Sequence, residues 1–336
     1  MKKLLLLTFC AAILLTAAAT AQNAAKPGAK QVTLLCKIID APANAESIGL
    51  FEPLGMAYRE VARGARQADG SYIVTIPASE PKMYAIGFNE SQIGPIILGS
   101  EKEVTLWANA QFMEKGRTIG SELNKAFETA RNQAAALRET GDQLRNDLRM
   151  ARSTRNGQSI KAEQEKIAAH QREKAQLLDE LKKSNPLIWR SISLLLSPDD
   201  KGDSNAGELD FYGENFFGYA KLDDPAYEET PEVFQAFQNY VQTISQLGAN
   251  AVNSKALIDA QLAKLKPGSK MHRRAFAGVV DGMQKANHPE YVNYAQQYIK
   301  LYKKEDLGEV GRLEYDLRKF ATYTVGMEAP DLVGNT

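Results

Sequence analysis

One segment of the sequence constrains the fold more than any other, because small or apolar residues recur along it at alternating steps of four and three. They are Leu123, Phe127, Ala130, Ala134, Leu137, Gly141, Leu144 and Leu148. At 3.6 residues per turn, this spacing places all of them on one stripe of a helix, which must pack against another element. A turn-forming run, STRNG at 153–157, separates it from a second charged helix, from about Ile160 to Lys183. The sequence therefore predicts a long antiparallel helical hairpin over residues 119–184, with a parallel coiled-coil dimer as the alternative.

The chain before this hairpin has the period of β-structure. Short runs of alternating or β-branched residues are separated by Gly, Pro and Asp, at 32–39, 47–52, 72–76, 83–88, 95–98 and 103–107. Asp69-Gly70 predicts a tight turn before the third run. Six short strands with this punctuation predict a small antiparallel β-sandwich or barrel over residues 31–118.

The chain after the hairpin is predicted to form an α-helical domain over residues 185–324, so the predicted fold class is α+β. Pro186 is expected to open the first of its helices, and an acidic, Gly-rich loop follows at 198–207. Later helices are expected near 231–247, 251–265, 269–286, 289–303 and 307–323.

Aromatic residues recur in these helices at steps of three and four. They are Phe234, Phe237, Tyr240, Tyr291, Tyr294, Tyr298 and Tyr302. We interpret them chiefly as helix-packing residues, with a ligand-binding stack as the alternative.

The N-terminus has the three parts of a secretory signal peptide. Lys2 and Lys3 precede an apolar run over residues 4–19, and the small residues Ala19 and Ala21 form an A-x-A site before Gln22. We expect cleavage after Ala21, with residues 1–21 as the signal peptide and 22–30 as a linker. This places the mature chain in the periplasm or cell envelope. An uncleaved membrane anchor is the alternative.

The charge balance and the cysteine content argue against a nucleic-acid-binding protein and against a disulfide-linked scaffold. Removal of the signal peptide takes away Lys2 and Lys3, which leaves 39 basic and 41 acidic residues. Because nucleic-acid binding requires an excess of clustered basic residues, no nucleic-acid partner is predicted. Cys10 leaves with the signal peptide, and Cys36 is then the only thiol, so no intramolecular disulfide is expected. Because Cys36 lies in an apolar strand, we interpret it as a small buried residue rather than a nucleophile.

The other candidate residues do not form a catalytic or metal site in the sequence. His170, His272 and His288 lack the spacing of a zinc motif, and we expect them at the surface or at helix caps. The motifs of serine hydrolases and of phosphate-binding loops are absent. No catalytic, cofactor-binding or metal-ligating residue, and no cofactor, is therefore predicted.

Two charged clusters remain. Asp199 and Asp200, with Asp203, are interpreted as a solvated acidic connection, and a calcium loop is the alternative. The basic residues Lys270, Arg273 and Arg274, at the start of a predicted helix, are also expected to be solvated.

The last residues carry a motif of a known family. VGMEAPDL (residues 325–332) is similar to the V-G-x-x-A-P-D-F segment that leads into the thioredoxin-like domain of TlpA-like thiol-disulfide oxidoreductases. Gly326, Ala329, Pro330 and Asp331 match it, whereas Leu332 stands where phenylalanine is usual. The upstream chain also resembles the N-terminal region of multidomain envelope members. The shared features are DGSY at 69–72, GSELN at 120–124 and Asn-Pro at 185–186.

This resemblance implies a redox function whose catalytic residues lie elsewhere. The family requires a C-x-x-C pair downstream of the A-P-D motif, in which one cysteine attacks a disulfide and the other resolves the intermediate. These residues contain no such pair, and Cys36 matches neither position. The resemblance implies an accessory, non-catalytic region of a periplasmic oxidoreductase, with residues 325–336 starting a truncated thioredoxin-like domain.

Three function classes follow from the sequence. The accessory region would have a thioredoxin-like catalytic domain as its partner, in cis or in trans. A stand-alone envelope binding or scaffold protein, with a protein partner or self-association, is the second. A redox enzyme that uses Cys36 alone is the third.

Overall fold

A computed structural model describes residues 30–55, 57–89, 92–202 and 207–322, with side chains through residue 318. Within these ranges the chain forms eight strands and nine α-helices. The strands are β1 Gln31–Ile39, β2 Ser47–Pro53, β3 Tyr58–Arg66, β4 Tyr72–Pro77, β5 Lys82–Gly87, β6 Ile93–Leu98, β7 Glu103–Asn109 and β8 Arg117–Ile119. The helices are α1 Glu122–Ser153, α2 Gly157–Ser184, α3 Pro186–Leu195, α4 Glu208–Asn215, α5 Glu232–Gln246, α6 Ala251–Leu262, α7 Lys270–Lys285, α8 Tyr291–Tyr302 and α9 Leu307–Thr322. The predicted α+β class is confirmed.

All the described strands belong to one curled sheet, in the order β6-β5-β2-β3-β4-β1-β7-β8. Every neighbouring pair is antiparallel except β1 and β7, which run parallel, so the sheet is mixed rather than wholly antiparallel. The sheet curls until β6 lies beside the turn Met113–Lys115, where a β-carbon on Gly94 would lie 2.1 Å from the Met113 carbonyl oxygen. The described strands thus form one curled sheet with edges at β6 and β8, which is neither a sandwich of two sheets nor a closed barrel.

Strand β3 was not predicted from the sequence, because its charged residues obscure the alternation of apolar and polar positions. Its outer positions carry Arg59, Glu60 and Arg63. Arg59 pairs with Glu52 on the neighbouring strand, and Arg63 with Glu60. Gly64 is the one buried residue of this strand. Strand β8 was also not predicted, because three residues are too few to show a period.

The predicted helical hairpin is confirmed, because α1 and α2 pack against each other within one chain. The Ser121 hydroxyl accepts the amide of Asn124 at 3.2 Å and caps α1. The Asn156 side chain caps α2 by accepting the amides of Gln158 and Ser159. The turn between the helices needs a left-handed residue, Arg155, with φ of 54°.

Asn124 joins the hairpin to the edge of the sheet. Its side-chain oxygen accepts the Ile97 amide at 2.8 Å, and its Nδ2 donates to the Ile97 carbonyl at 2.6 Å. The side chain thus replaces a neighbouring strand at the β6 edge. Pro95 on the same strand has no amide to donate, so both residues limit strand addition at this edge.

The helical part is built around the predicted aromatic residues, and their interpretation as packing residues is confirmed. Phe237, Tyr240, Tyr291, Tyr294, Tyr298 and Tyr302 are buried, and Phe234 is partly buried. Two of the buried tyrosines donate hydrogen bonds from their hydroxyl groups, Tyr240 to the Gly213 carbonyl at 2.8 Å and Tyr298 to Asp306 at 2.7 Å. Among the described helices, none is long and apolar enough to span a membrane.

Candidate functional site: a buried ion cluster beside a polar cleft

Two residues of α2 and one residue of the loop after α3 form a buried ion cluster. His170 and Lys174 lie one turn apart on α2 and therefore share a face of the helix. His170 Nδ1 lies 2.8 Å from one carboxylate oxygen of Asp199, and Lys174 Nζ lies 2.7 Å from the other. Exposed fractions are 3%, 2% and 6% for His170, Lys174 and Asp199, so all three side chains are almost wholly buried.

The environment changes the pKa values in this ion cluster. Burial acts to raise the pKa of Asp199, but hydrogen bonds from His170 and Lys174 and the lysine charge outweigh it, and the pKa is lowered. Burial lowers the pKa of Lys174, and Asp199 opposes that change. Asp199 is therefore the shared acceptor on which both neighbours depend. The second ring nitrogen of His170, Nε2, is buried and has no hydrogen-bond partner among the described residues.

Gly141 makes room for the ion cluster on the facing side of α1. A β-carbon at this position would lie 2.9 Å from Asp199 Oδ1, 3.2 Å from His170 Cε1 and 3.4 Å from Lys174 Nζ. The glycine in the apolar stripe of α1 is thus a contact point for charged side chains.

We expect Gly141→Ala to destabilise the protein by about 1–3 kcal/mol, because the added methyl group would press on the side chains of the ion cluster. In most helix interiors the same change stabilises by about 1 kcal/mol. Gly311→Ala on α9 is the matched control, since no atom lies within 4 Å of its β-carbon position. Urea unfolding measures both variants, and a gain in stability for Gly141→Ala would contradict the assigned contact.

The loop that carries Asp199 is held along the hairpin by its backbone. Four of its carbonyl oxygens accept side-chain hydrogen bonds from α1 and α2. The bonds run from Lys174 to Ser197 at 3.1 Å, Gln171 to Asp199 at 2.5 Å, Gln164 to Lys201 at 3.1 Å and Arg152 to Gly202 at 2.8 Å. These backbone contacts add to those that the Asp199 side chain makes with His170 and Lys174.

A polar cleft of about 450 Å³ lies beside the ion cluster. Lys174 and Asp199 line it, as do Leu194, Leu195 and Phe216, and polar residues of α1 and α5 complete the lining. The wall residues are Arg138, Asp142, Arg145 and Asn146 on α1, and Asn239, Gln242, Thr243 and Gln246 on α5. Helix faces that pack directly on each other are apolar. These polar faces therefore suit water or a polar ligand, bound by hydrogen bonds and charge.

The structure places the predicted cysteine away from any reactive setting. Cys36 on β1 is fully buried, and burial raises its pKa to about 12. Because the thiolate is the nucleophile, this cysteine is inert at neutral pH. The interpretation of Cys36 as a buried apolar residue is confirmed.

We expect Cys36 in the mature chain, residues 22–336, to react with iodoacetamide at pH 8 at least about 100-fold more slowly in the native state than in guanidinium. Mass spectrometry of the time course measures the rate at this single thiol. Comparable native and denatured rates would contradict its burial.

For residues of three other candidate groups, the prediction that they are exposed to solvent is wrong. All three histidines are buried rather than on the surface, although His288 does cap a turn by accepting the Glu290 amide at 3.1 Å. Asp199 and Asp200 are buried rather than solvated, and Asp203 lies outside the described residues. Of the basic residues expected to be solvated, Lys270 is exposed, whereas Arg274 is buried and donates to the Pro53 carbonyl of the sheet.

The remaining predicted residues lie outside the described ranges. They are Ala19, Ala21 and Gln22 at the expected cleavage site, and Gly326, Ala329, Pro330 and Asp331 in the lead-in motif. Within the described part of the chain, no group of three or more His, Cys, Asp or Glu residues is arranged to hold a metal ion.

Sequence reasoning missed the ion cluster, although α2 carried a signal for it. His170 and Lys174 continue the stripe of Ile167 and Leu178, and so place two polar residues in a packing seam.

Comparisons with known proteins add no assignment: no family model, curated protein or solved structure matches the chain.

Proposed function

We propose that this chain is the accessory, non-catalytic region of a periplasmic thioredoxin-like thiol-disulfide oxidoreductase, and that it positions or oligomerises a catalytic domain. The observation that carries the proposal is the state of Cys36. A buried thiol with a pKa of about 12 does not attack a disulfide, so disulfide chemistry requires cysteines outside residues 30–322. The motif at residues 325–332 is the sequence feature that suggests where they lie.

The internal connections of the described residues suit a positioning role. Asn124 bonds the hairpin to β6, and Arg274 bonds α7 to the Pro53 carbonyl. Met83 and Ile97 of the sheet also belong to the apolar core of the helices. Helix α9 packs against α8 and ends at Thr322, close in sequence to the lead-in motif. A domain that follows α9 would therefore begin from a fixed helix.

The reading frame beyond the codon for Thr336 tests this proposal. We expect an open frame that encodes C-x-x-C within about 150 residues, the length of a typical domain. A stop codon at that point, with no thioredoxin-like partner encoded nearby, would contradict the proposal.

A second candidate function is a stand-alone envelope binding or scaffold protein, and the polar cleft favours it. Its facing helices present hydrogen-bonding groups where direct packing would require apolar ones. Pull-down from envelope extracts with the mature chain tests this function, with a variant carrying Gln242→Ala and Gln246→Ala as control. A partner captured equally by both proteins would count against the cleft as its site.

A further inference from the structure

The charged side chains that line the polar cleft are of both signs, and most of them pair with one another. The cations are Arg138, Arg145 and Lys174, and the carboxylates are Asp142 and Asp199. Arg145 donates to Asp142 at 2.9 Å, and Lys174 donates to Asp199 at 2.7 Å. A ligand with a net charge of either sign would meet groups of its own sign here. The balance of charge therefore favours a neutral ligand.

The α5 side of the polar cleft is polar but carries no charge. Asn239, Gln242, Thr243 and Gln246 follow one another at steps of three, one and three residues, so they share one face of the helix. Within the described part of the chain, the side chains of Gln242, Thr243 and Gln246 make no hydrogen bond. Amide and hydroxyl groups can both donate and accept. This face thus offers donors and acceptors that a ligand can use.

The α1 side adds an acidic acceptor. Arg145 contacts Oδ1 of Asp142, and the Asp142 side chain is 67% exposed, so the carboxylate can accept further hydrogen bonds. Asn146 lies one turn further along the same helix and also lines the cleft. A hydrogen bond from a hydroxyl group to a carboxylate is about twice as strong as one between neutral groups.

The polar cleft also contains carbon surface. Leu194, Leu195 and Phe216 belong to its lining. The Phe216 ring is held by edge contacts with Phe217 and Tyr240, at 5.1 and 5.4 Å between ring centroids. A ligand that suits this lining has hydroxyl or amide groups and an apolar face in the same molecule.

We propose that the polar cleft binds a neutral saccharide of about one or two rings. This inference rests on the second candidate function, a binding protein, and names its ligand class. Each sugar hydroxyl both donates and accepts, as the side chains of α5 do, and a sugar ring has C–H groups that can lie against apolar side chains. Ligand pockets commonly span about 300–1,000 Å³, and the cleft of about 450 Å³ falls within that range.

Titration of the purified mature chain with maltose, cellobiose and diacetylchitobiose tests the proposal, by saturation-transfer difference NMR and by calorimetry. We expect saturable binding of at least one of these neutral disaccharides, with a Kd of roughly 1 mM. Glucosamine and glucuronate add a positive or a negative charge to glucose. Both are expected to displace the bound disaccharide less well than glucose does.

Variants locate the binding site on both walls of the polar cleft. Gln242→Ala with Gln246→Ala is expected to weaken binding at least about tenfold, and Asp142→Ala about five- to tenfold. Gln133→Ala with Gln176→Ala removes two exposed glutamines outside the cleft, and this matched control leaves binding unchanged. Far-UV circular dichroism checks that each variant folds.

Three outcomes would overturn the proposal. They are the absence of saturable binding of any of the three disaccharides up to about 50 mM, binding that the folded cleft variants retain, and a charged sugar that displaces the disaccharide better than glucose. None of these results bears on the reading frame beyond Thr336. A protein captured through the cleft by a chain that binds none of the sugars would contradict the saccharide and leave the binding function standing.

Discussion

Replacing Asp199 by alanine is expected to lower the free energy of unfolding by about 3–5 kcal/mol, the largest loss among the substitutions considered for this chain. The change leaves Lys174 and His170 buried without their shared acceptor. Removal of one member of a buried ion pair costs more than the pair contributes, because the remaining charge stays out of water. Urea unfolding followed by Trp189 fluorescence measures the effect, with Trp107→Phe as background so that one tryptophan reports.

Asp142→Ala is the matched control for Asp199→Ala. Asp142 also accepts a charged side chain, Arg145 at 2.9 Å, but its carboxylate is 67% exposed. A solvent-exposed pair of this kind contributes about 0–1 kcal/mol. Similar losses for the two variants would contradict the assignment of a buried ion cluster.

The pH dependence of the Asp199 contribution has a definite sign. The folded-state pKa is lowered from the ordinary value of 3.8. The stabilisation is therefore fully present above about pH 3.8 and is lost as the pH falls through the lowered folded-state value. We expect the stability difference between the wild type and Asp199→Asn to narrow as the pH falls below about 3.8.

Replacing Asn124 by alanine is expected to lower the free energy of unfolding by about 2–4 kcal/mol. The Ile97 amide and carbonyl both lose their partner, and each unsatisfied buried group costs about 1–3 kcal/mol. Urea unfolding gives the total effect, and hydrogen exchange of the Ile97 amide gives the local one. We expect that amide to exchange much faster in the variant.

Gln133→Ala, on an exposed position of the same helix, is the control for Asn124→Ala and should change stability by less than about 0.5 kcal/mol. An Ile97 amide that stays protected in Asn124→Ala would contradict the role of Asn124 at the sheet edge.

The parts of the fold that sequence could predict are those with a local period. The stripe from Leu123 to Leu148 identifies the hairpin because each contact recurs every turn. The strands with alternating apolar residues are likewise visible. Strand β3 is not, because its outward residues form ion pairs, and the only buried position within it is a glycine.

The candidate sites could not be predicted from local pattern because their partners are distant in sequence. Asp199 lies 29 residues from His170, and Arg274 lies 221 residues from Pro53. A charged residue is expected to be solvated until such a partner is known. The glycine at position 141 and the polar pair on α2 were the local signs of the ion cluster.

We propose that the described residues support disulfide chemistry without performing it. Insulin reduction with dithiothreitol as reductant tests this most directly, comparing the mature chain, its Cys36→Ser variant and the product of the whole reading frame. We predict activity for the whole product only, with the mature chain and Cys36→Ser both at the rate of dithiothreitol alone. Reduction by the mature chain that Cys36→Ser abolishes would contradict the claim.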